Sequence, residues 1–361
     1  LTCDWSSDVC SSDLIDLCPV GALTSKPFRF SARGWELIHR PSVSPHCGLG
    51  SNLTVQIKQN RVMRVLPREN ESINECWLSD KDRFSYEGLN SEQRLARPML
   101  KRGGTWQEVE WQAALDFVAA EVKRIRSAHG ADAIGALATP YQSVEELYLL
   151  QKLLRGLGTG NVDFRLRQSD FALDGQLAGV PWLGMQITDV GNLDRCLLVG
   201  TTLRKDHPLL SHRIRQATKR GLELSLINPF SDELQMRVAH RAIVSPAAMG
   251  GLLAQVLKAA AQLRKAALPA AVRDAVEREK VSEAAQRIAE SLASGSQSGI
   301  FLGNLAQHHP HAAELHLLAY ALGEVLGARM GIFGEAANSV GGYVAGAVPF
   351  SGASKIGRAH V

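Results

Sequence analysis

Residues 197–229 read LLVGTTLRKDHPLLSHRIRQATKRGLELSLINP. The opening residues belong to a short, continuously apolar run, RCLLVG (195–200), which is followed by a polar loop. Pro208 then suits the first turn of a helix, where its missing N–H is not needed. A second apolar run, ELSLIN (223–228), closes the unit. Strand, loop, helix, strand is a nucleotide-binding supersecondary pattern. Working outward, AIGALAT (133–139), closed by Pro140, reads as a buried strand, and GIFLGN (299–304) reads as another. At least one helical stretch separates each run from the next. That alternation predicts an α/β fold with a parallel sheet covered by helices on both faces.

The helical stretches carry their own marks. Between Trp106 and Ile125, apolar residues recur at Trp111, Leu115, Val118, Val122 and Ile125, a helical stripe. Ser143 with Glu146 forms a capping box for a helix that Gly156 and Gly158 stop. Before about Glu92 the texture is different. NLTVQIKQNRVMRVLP (52–67) alternates apolar and polar residues on either side of Gln59-Asn60, which predicts a hairpin in a small, partly β domain.

The two ends behave unlike the rest. DVCSSDL (8–14) and IGRAHV (356–361) are translations of two nucleotide strings that are reverse complements of each other, as in a sequencing adapter. Residues 1–14 and 356–361 are therefore set aside from fold reasoning, and the chain is expected to be a fragment. Removing Asp4, Asp8, Asp13 and Arg358 leaves 39 basic and 33 acidic residues, a balance of +6. That charge is diffuse, and no basic stripe interleaved with aromatics suggests nucleic acid. With 45% apolar and 21% charged residues the composition is globular. No uncharged apolar run reaches the ~18 residues a membrane span needs. AIVSPAAMGGLLAQVL (242–257) comes closest, but it contains a proline and paired glycines and is flanked by Arg241 and Lys258. Four cysteines remain, Cys18, Cys47, Cys76 and Cys196, too few and too scattered for a disulfide framework.

Several residues could carry chemistry. Cys18 is followed directly by Pro19 in LCPVGAL (17–23), the form of the last thiolate ligand of an iron–sulfur cluster; a buried structural thiol is the alternative. Cys196 begins an apolar strand and reads as core. His308, His309 and His311 do not share a helical face, and Pro310 reads as the start of the next helix, so a loop accounts for them better than a metal site. Gly341, Gly342 and Gly346 lie in FGEAANSVGGYVAG (333–346) without a lysine at a phosphate-cradling position, so the segment reads as a packing loop.

LCPVGALTSKPFRFSARGWEL (17–37), RVMRVLPRENESINECWLSDKDRFSYEGLNS (61–91), EELYLLQKLLRGLGTGNVDFRLRQSDF (145–171) and FGEAANSVGGYVAG resemble, in order, the large iron–sulfur subunit of respiratory complex I. This 75 kDa-type, or G-type, subunit belongs to the molybdopterin oxidoreductase superfamily. The resemblance implies a chain divided into the end of a ferredoxin-like iron–sulfur domain (15–33), a small β-rich domain resembling the 4Fe–4S domain of molybdopterin oxidoreductases (34–91), and a truncated molybdopterin-oxidoreductase-like α/β domain with a Rossmann-like sheet (92–355). It implies that Cys18 is the fourth ligand of a [4Fe–4S] cluster, with further 2Fe–2S and 4Fe–4S clusters in a missing amino-terminal part.

In the superfamily the small domain can begin Cys-x-x-Cys-x-x-x-Cys with a fourth Cys later. The matching positions here are Ser44, Cys47, Ser51 and Cys76, which reads as a vacated site; completion by His46 or a partner chain is the alternative. Residues 197–229 resemble the segment that binds one guanine dinucleotide arm of molybdopterin. No G-x-G-x-x-G follows the strand, and Asn228 stands where an acidic residue is expected, so a unit without its ligand is the favoured reading. Ser169 falls near the family's metal-ligand position and is the weak candidate for that role.

The functional expectation is an electron-transfer and scaffold subunit of proton-translocating NADH:quinone oxidoreductase. It would carry electrons between the NADH/FMN site and quinone, hold no catalytic or organic-cofactor residues of its own, and bind no molybdopterin. Expected partners are other peripheral-arm subunits, including the NADH/FMN-binding one, on the cytoplasmic side of a bacterial inner membrane. The alternative is an active molybdopterin-dependent oxidoreductase resembling formate dehydrogenase. A dinucleotide-binding dehydrogenase is remote without the glycine fingerprint.

Overall fold

The computed structural model describes residues 12–177 and 179–349. Residues 1–11 and 356–361 of the adapter-like ends lie outside this range. Of the amino end set aside above, residues 12–14 fall within the described range. α1 (Asp13–Leu17) begins at Asp13, whose buried carboxylate pairs with Arg83 and accepts from Leu78 N at 3.2 Å.

A three-stranded antiparallel sheet follows, β1 (Ile38–Val43), β2 (Asn52–Lys58) and β3 (Arg61–Pro67), in that order. The Gln59-Asn60 hairpin forms where expected. Both residues have positive φ, 49° and 58°, as a two-residue turn matching strand twist requires. Leu53, Val65 and Leu78 pack beneath the sheet. α2 (Asp80–Phe84) is capped by Ser79, whose hydroxyl accepts from Asp82 N.

The next region is thinner. β4 (Met99–Arg102) and β5 (Thr105–Glu108) form a hairpin, α3 (Trp111–His129) follows, and the two-residue strands β6 (Ala136–Leu137) and β7 (Val162–Asp163) pair in parallel around α4 (Val144–Gly156). The Ser143–Glu146 capping box is present. Three sequence expectations change here. Trp106 belongs to β5 and the helix starts at Trp111. Trp111, Leu115 and Val118 of the α3 stripe are exposed, Val122 and Ile125 are half-buried, and no residue of α3 is fully buried. AIGALAT yields only two strand residues, one of them the exposed Leu137.

The main body is a five-stranded parallel sheet: β8 (Arg195–Val199), β9 (Glu223–Asn228), β10 (His240–Ile243), β11 (Ser298–Leu302) and β12 (Arg329–Ile332). Their spatial order is β10-β9-β8-β11-β12. Between β8 and β9 run α5 (Leu203–Asp206) and α6 (Pro208–Lys219), with Pro208 in the first turn. α7 (Met249–Arg264), α8 (Ala270–Arg278) and α9 (Glu283–Ser294) connect β10 to β11. α10 (Asn304–Gln307) and α11 (Ala312–Leu326) connect β11 to β12, and α12 (Ser339–Val344) follows. The α11 helix begins at Ala312 with His311 as its cap, two residues later than Pro310 suggests.

Strand side chains alternate between two cores. Leu197, Val199, Ile227 and Ile300 meet α7, α9 and α11 on one face. Cys196, Leu198, Leu224 and Phe301 meet α6 and the 183–193 segment on the other. Helices thus cover both faces of a parallel sheet, as the alternation of elements predicts. The outer edge of β12 is covered too: Ile332 N donates to Trp182 O at 2.8 Å. A Cβ on Gly331 would overlap the Leu183 carbonyl, and one on Gly184 (φ 76°) the Met330 carbonyl. Among the described residues no helix is long and apolar enough to cross a membrane.

Candidate functional site

Cys18 ends α1, its N–H donating to Leu14 O at 3.1 Å. Pro19 stops the helix and Gly21, at φ 64°, turns the chain back. The Cys18 thiol is held below the usual range, first by the backbone N–H of Leu23. Those of Ala22, Val20 and Gly21 act the same way and together outweigh the opposing effect of burial. A loop of successive N–H groups around one atom is an anion-binding concavity, and hydrogen bonds to ligand sulfurs are a way proteins tune iron–sulfur clusters. This turn fits a thiolate cluster ligand. The segment is fastened to α2 and to β3, one point on each. Arg83, itself buried, pairs with Asp16 at 2.7 Å, and the Arg64 guanidinium lies 4.0 Å from the centre of the Phe28 ring.

The second thiol-bearing set does not fit a cluster. Ser44, Cys47 and Ser51 are buried together on the turn between β1 and β2, but their polar atoms are engaged with one another and with α2. Ser44 Oγ donates to Asp82 Oδ1, Ser79 Oγ donates to Asp82 Oδ2, and Ser51 Oγ donates to Cys47 Sγ at 3.1 Å. Burial pushes the Cys47 thiol up, disfavouring the thiolate a metal needs. Cys76 is exposed. The His46 ring lies 5.3 Å from that of Tyr141, tilted by 53°, and burial pushes its pKa down. The serines were visible in the sequence; the Asp82 acceptor that engages Ser44 and Ser79 was not singled out, because its pairing spans 38 residues.

In an open α/β sheet the ligand crevice lies outside the carboxyl ends of the strands where strand order reverses. Here that point falls between β8 and β11. The two loops that leave it touch directly. Gly303 N donates to Val199 O at 2.9 Å and Ala306 N to Gly200 O at 3.2 Å. A Cβ on Gly303 would overlap Thr201, and one on Gly200 (φ 59°) would lie 2.6 Å from Ala306 N. Asn228 completes the closure. It accepts from Thr201 N and donates to Thr201 O, both at 2.8 Å. Thr201 Oγ1 and Asn304 Oδ1 have no partner at this crossing.

A cleft of about 120 Å³ opens beside α12. Its floor is Arg165, buried and held by Asp163 at 2.8 Å and Asp174 at 2.6 Å, with the rings of Phe171 and Tyr343 against the guanidinium. Burial opposes its charge, but the hydrogen bonds it donates to Asp174 and Asp163 outweigh that and push its pKa further up. At the rim Arg167 pairs with Glu335, which also lies 3.7 Å from His308; burial pushes the His308 pKa down. The sequence reading passed over this set, although RLRQSD carries two of its cations.

The remaining candidates separate. Ser169 is exposed, its hydroxyl 3.5 Å from the His308 carbonyl. Cys196 is fully buried in β8, and burial pushes its thiol up. His309 hydrogen-bonds Pro246 O at 3.0 Å. Gly342 packs on Phe164 and Gly341 on Val144 and Asn338, within α12. Among the described residues no group of three or more His, Cys, Asp or Glu side chains is arranged to hold a metal.

Comparison with known proteins adds the following. The family model described as molybdopterin oxidoreductase matches residues 94–360, and the one described as NADH-ubiquinone oxidoreductase NDSU1/NuoG-like, 4Fe-4S domain matches residues 40–87. The G subunit of NADH-quinone oxidoreductase from Rickettsia felis is 42% identical over 211 residues, 58% of this chain and 30% of the relative. The NADH-ubiquinone oxidoreductase 75 kDa subunit of Reclinomonas americana is 35% identical over 228 residues, 58% of this chain and 32% of that protein. The match thus spans about three tenths of these relatives' length. Acetylene hydratase from Pelobacter acetylenicus has the same fold, with a TM-score of 0.59 at 15% identity over 79% of this chain and 43% of its own.

Proposed function

Since the chain belongs to the molybdopterin oxidoreductase family and its curated relatives are named as one subunit of NADH-quinone oxidoreductase, we propose that it is an electron-transfer and scaffold part of that enzyme. The observation that carries this is the Cys18 turn, where a partly exposed thiol at the end of α1 sits on a loop closed by Gly21 N donating to Cys18 O at 3.3 Å. Cys18 is the chain's ligand to a [4Fe–4S] cluster. Such a cluster, when bound, supplies one-electron transfer between the NADH/FMN side of the enzyme and quinone. Leu23, Ala22, Gly21 and Val20 stabilise the thiolate through their N–H groups. Arg83, through Asp16, and Arg64, through Phe28, hold the segment in place on α2 and β3.

The 4Fe–4S-type domain at 40–87 is retained as a structural unit. Its reading as a vacated site is supported by the hydroxyls of Ser44, Ser51 and Ser79, each already committed to a protein acceptor. The α/β domain is likewise read as a brace that holds no molybdopterin. The direct contact of the Gly200 and Gly303 loops at the switch point supports this, as does the exposed placement of Ser169. The protein would sit peripherally on the cytoplasmic side of the membrane, against other peripheral-arm subunits.

Metal analysis and electron paramagnetic resonance of the purified full-length subunit test the reading. Cys18→Ala should remove one [4Fe–4S] signal and abolish NADH-to-quinone electron flow. Paired Cys47→Ala and Cys76→Ala changes should leave the iron count unaltered. Unimpaired electron transfer in the Cys18 variant, loss of four irons in the paired variant, or stoichiometric molybdenum would each overturn part of it.

A further inference from the structure

Two arginines of the small domain converge on the segment that carries Cys18. Arg83 of α2 is 4% exposed and pairs at 2.7 Å with Asp16, which stands two residues before the thiol. Its other partner, Asp13, falls among the residues read as adapter translation. Arg64 of β3 lies over the ring of Phe28, which follows the thiol by ten residues, with its guanidinium carbon 4.0 Å from the ring centre. Asp16, Ser25, Arg64, Arg83 and Tyr86 line one cavity of about 10 Å³, room for a single water. Both arms of the Cys18 loop, ahead of the thiol and behind it, therefore meet the same pair of cations.

The charges in this cluster do not cancel. Arg83 is balanced by Asp16. Arg64 is held by neutral groups instead, donating from Nε to Gln56 Oε1 at 2.5 Å and facing Phe28. Half-burial presses the Arg64 pKa down, with Asp16 acting against that and Arg83 with it, so the three groups feel one another. Without Asp13, two guanidinium groups and one carboxylate leave one positive charge at the base of the loop. One-electron reduction of a 4Fe–4S cluster adds negative charge. A nearby cation favours the reduced form, and more strongly where burial lowers the effective dielectric.

We propose that Arg64 and Arg83 place one net positive charge against the Cys18 segment and so raise the reduction potential of the cluster that Cys18 ligates. The inference rests on the cluster reading of Cys18 and deepens it. A domain whose own thiol and hydroxyl set is engaged internally then serves the neighbouring cluster, as the source of its electrostatic setting.

Redox titration of the full-length subunit, followed by electron paramagnetic resonance, tests this on the [4Fe–4S] signal that Cys18→Ala removes. Arg64→Gln should lower the midpoint potential of that signal by at least a tenfold change in the redox equilibrium, about 59 mV for one electron, with the iron content unchanged. Arg64→Lys keeps the charge and gives up the flat face against Phe28, so its midpoint should stay close to wild type. Asp16→Asn should move the midpoint upward, and it decides the question if Arg64→Gln fails to hold its cluster. A wild-type midpoint in Arg64→Gln, equal shifts in Arg64→Gln and Arg64→Lys, or no upward shift in Asp16→Asn would overturn the inference while leaving Cys18 as a ligand. A full set of signals in Cys18→Ala would instead remove the reading beneath it.

Discussion

His207 caps α6 in a site where its ring meets Phe333 edge-on at 5.2 Å and its Nε2 has no partner. Burial pushes its pKa down from 6.5 to about 4, with Asp206 acting upward against it and Lys81 downward with it. The unfolded chain therefore binds a proton between those values that the folded chain refuses. Stability from this group is complete above pH 6.5 and is lost as pH falls toward 4. One pKa unit corresponds to about 1.4 kcal/mol, so the loss is on the order of 3 kcal/mol. Thermal melts of the wild-type chain should show this fall across the window, and His207→Phe should flatten it; identical pH profiles would place the acid sensitivity elsewhere. The hydrogen-bonded set around Asp82 shows how far single residues could be read. Serines at two positions where the superfamily carries cysteine were plain in the sequence. Where their hydroxyls go was not, because Ser44 finds its acceptor across 38 residues in a different element.

α4 was legible at its start because its signal is local. Ser143 accepts from Glu146 N at 3.2 Å while Glu146 accepts from Ser143 N at 2.8 Å, and both residues lie within one turn. Ser143→Ala should lower stability by about 1 kcal/mol in denaturant titrations, and Ser143→Gly by only a few tenths. β8, β9 and β11 were legible for a related reason: each is a run of consecutive apolar residues, the mark of a strand covered on both faces. β10 (HRAI) and β12 (RMGI) went unread because they are four-residue edge strands with a charged member. In α3 the period predicted a helix correctly but not burial, since the pattern says which face is apolar and not whether anything lies against it.

At the scale of the whole molecule, the small sheet and the α/β body meet at a glycine contact. A Cβ on Gly48 would overlap the Gly334 carbonyl oxygen, with backbone rather than a flexible side chain in the way. Gly48→Ala should therefore cost about 1–3 kcal/mol, as overpacking does. It should also open the linker between the two units to limited proteolysis. An unchanged melting temperature and cleavage pattern would show that the contact is slack. The α/β class and the order of the two units were legible from the alternation of elements; this join was not, because a glycine gives no sign of what approaches it. The cover over β12 has a consequence of another kind. A bare strand edge is a template on which a second chain can pair and grow into an aggregate. Trp182–Gly184 takes that place, with Gly184 and Gly331 letting the two backbones close together. On that side the sheet cannot recruit a neighbour, so a second chain cannot extend it beyond β12.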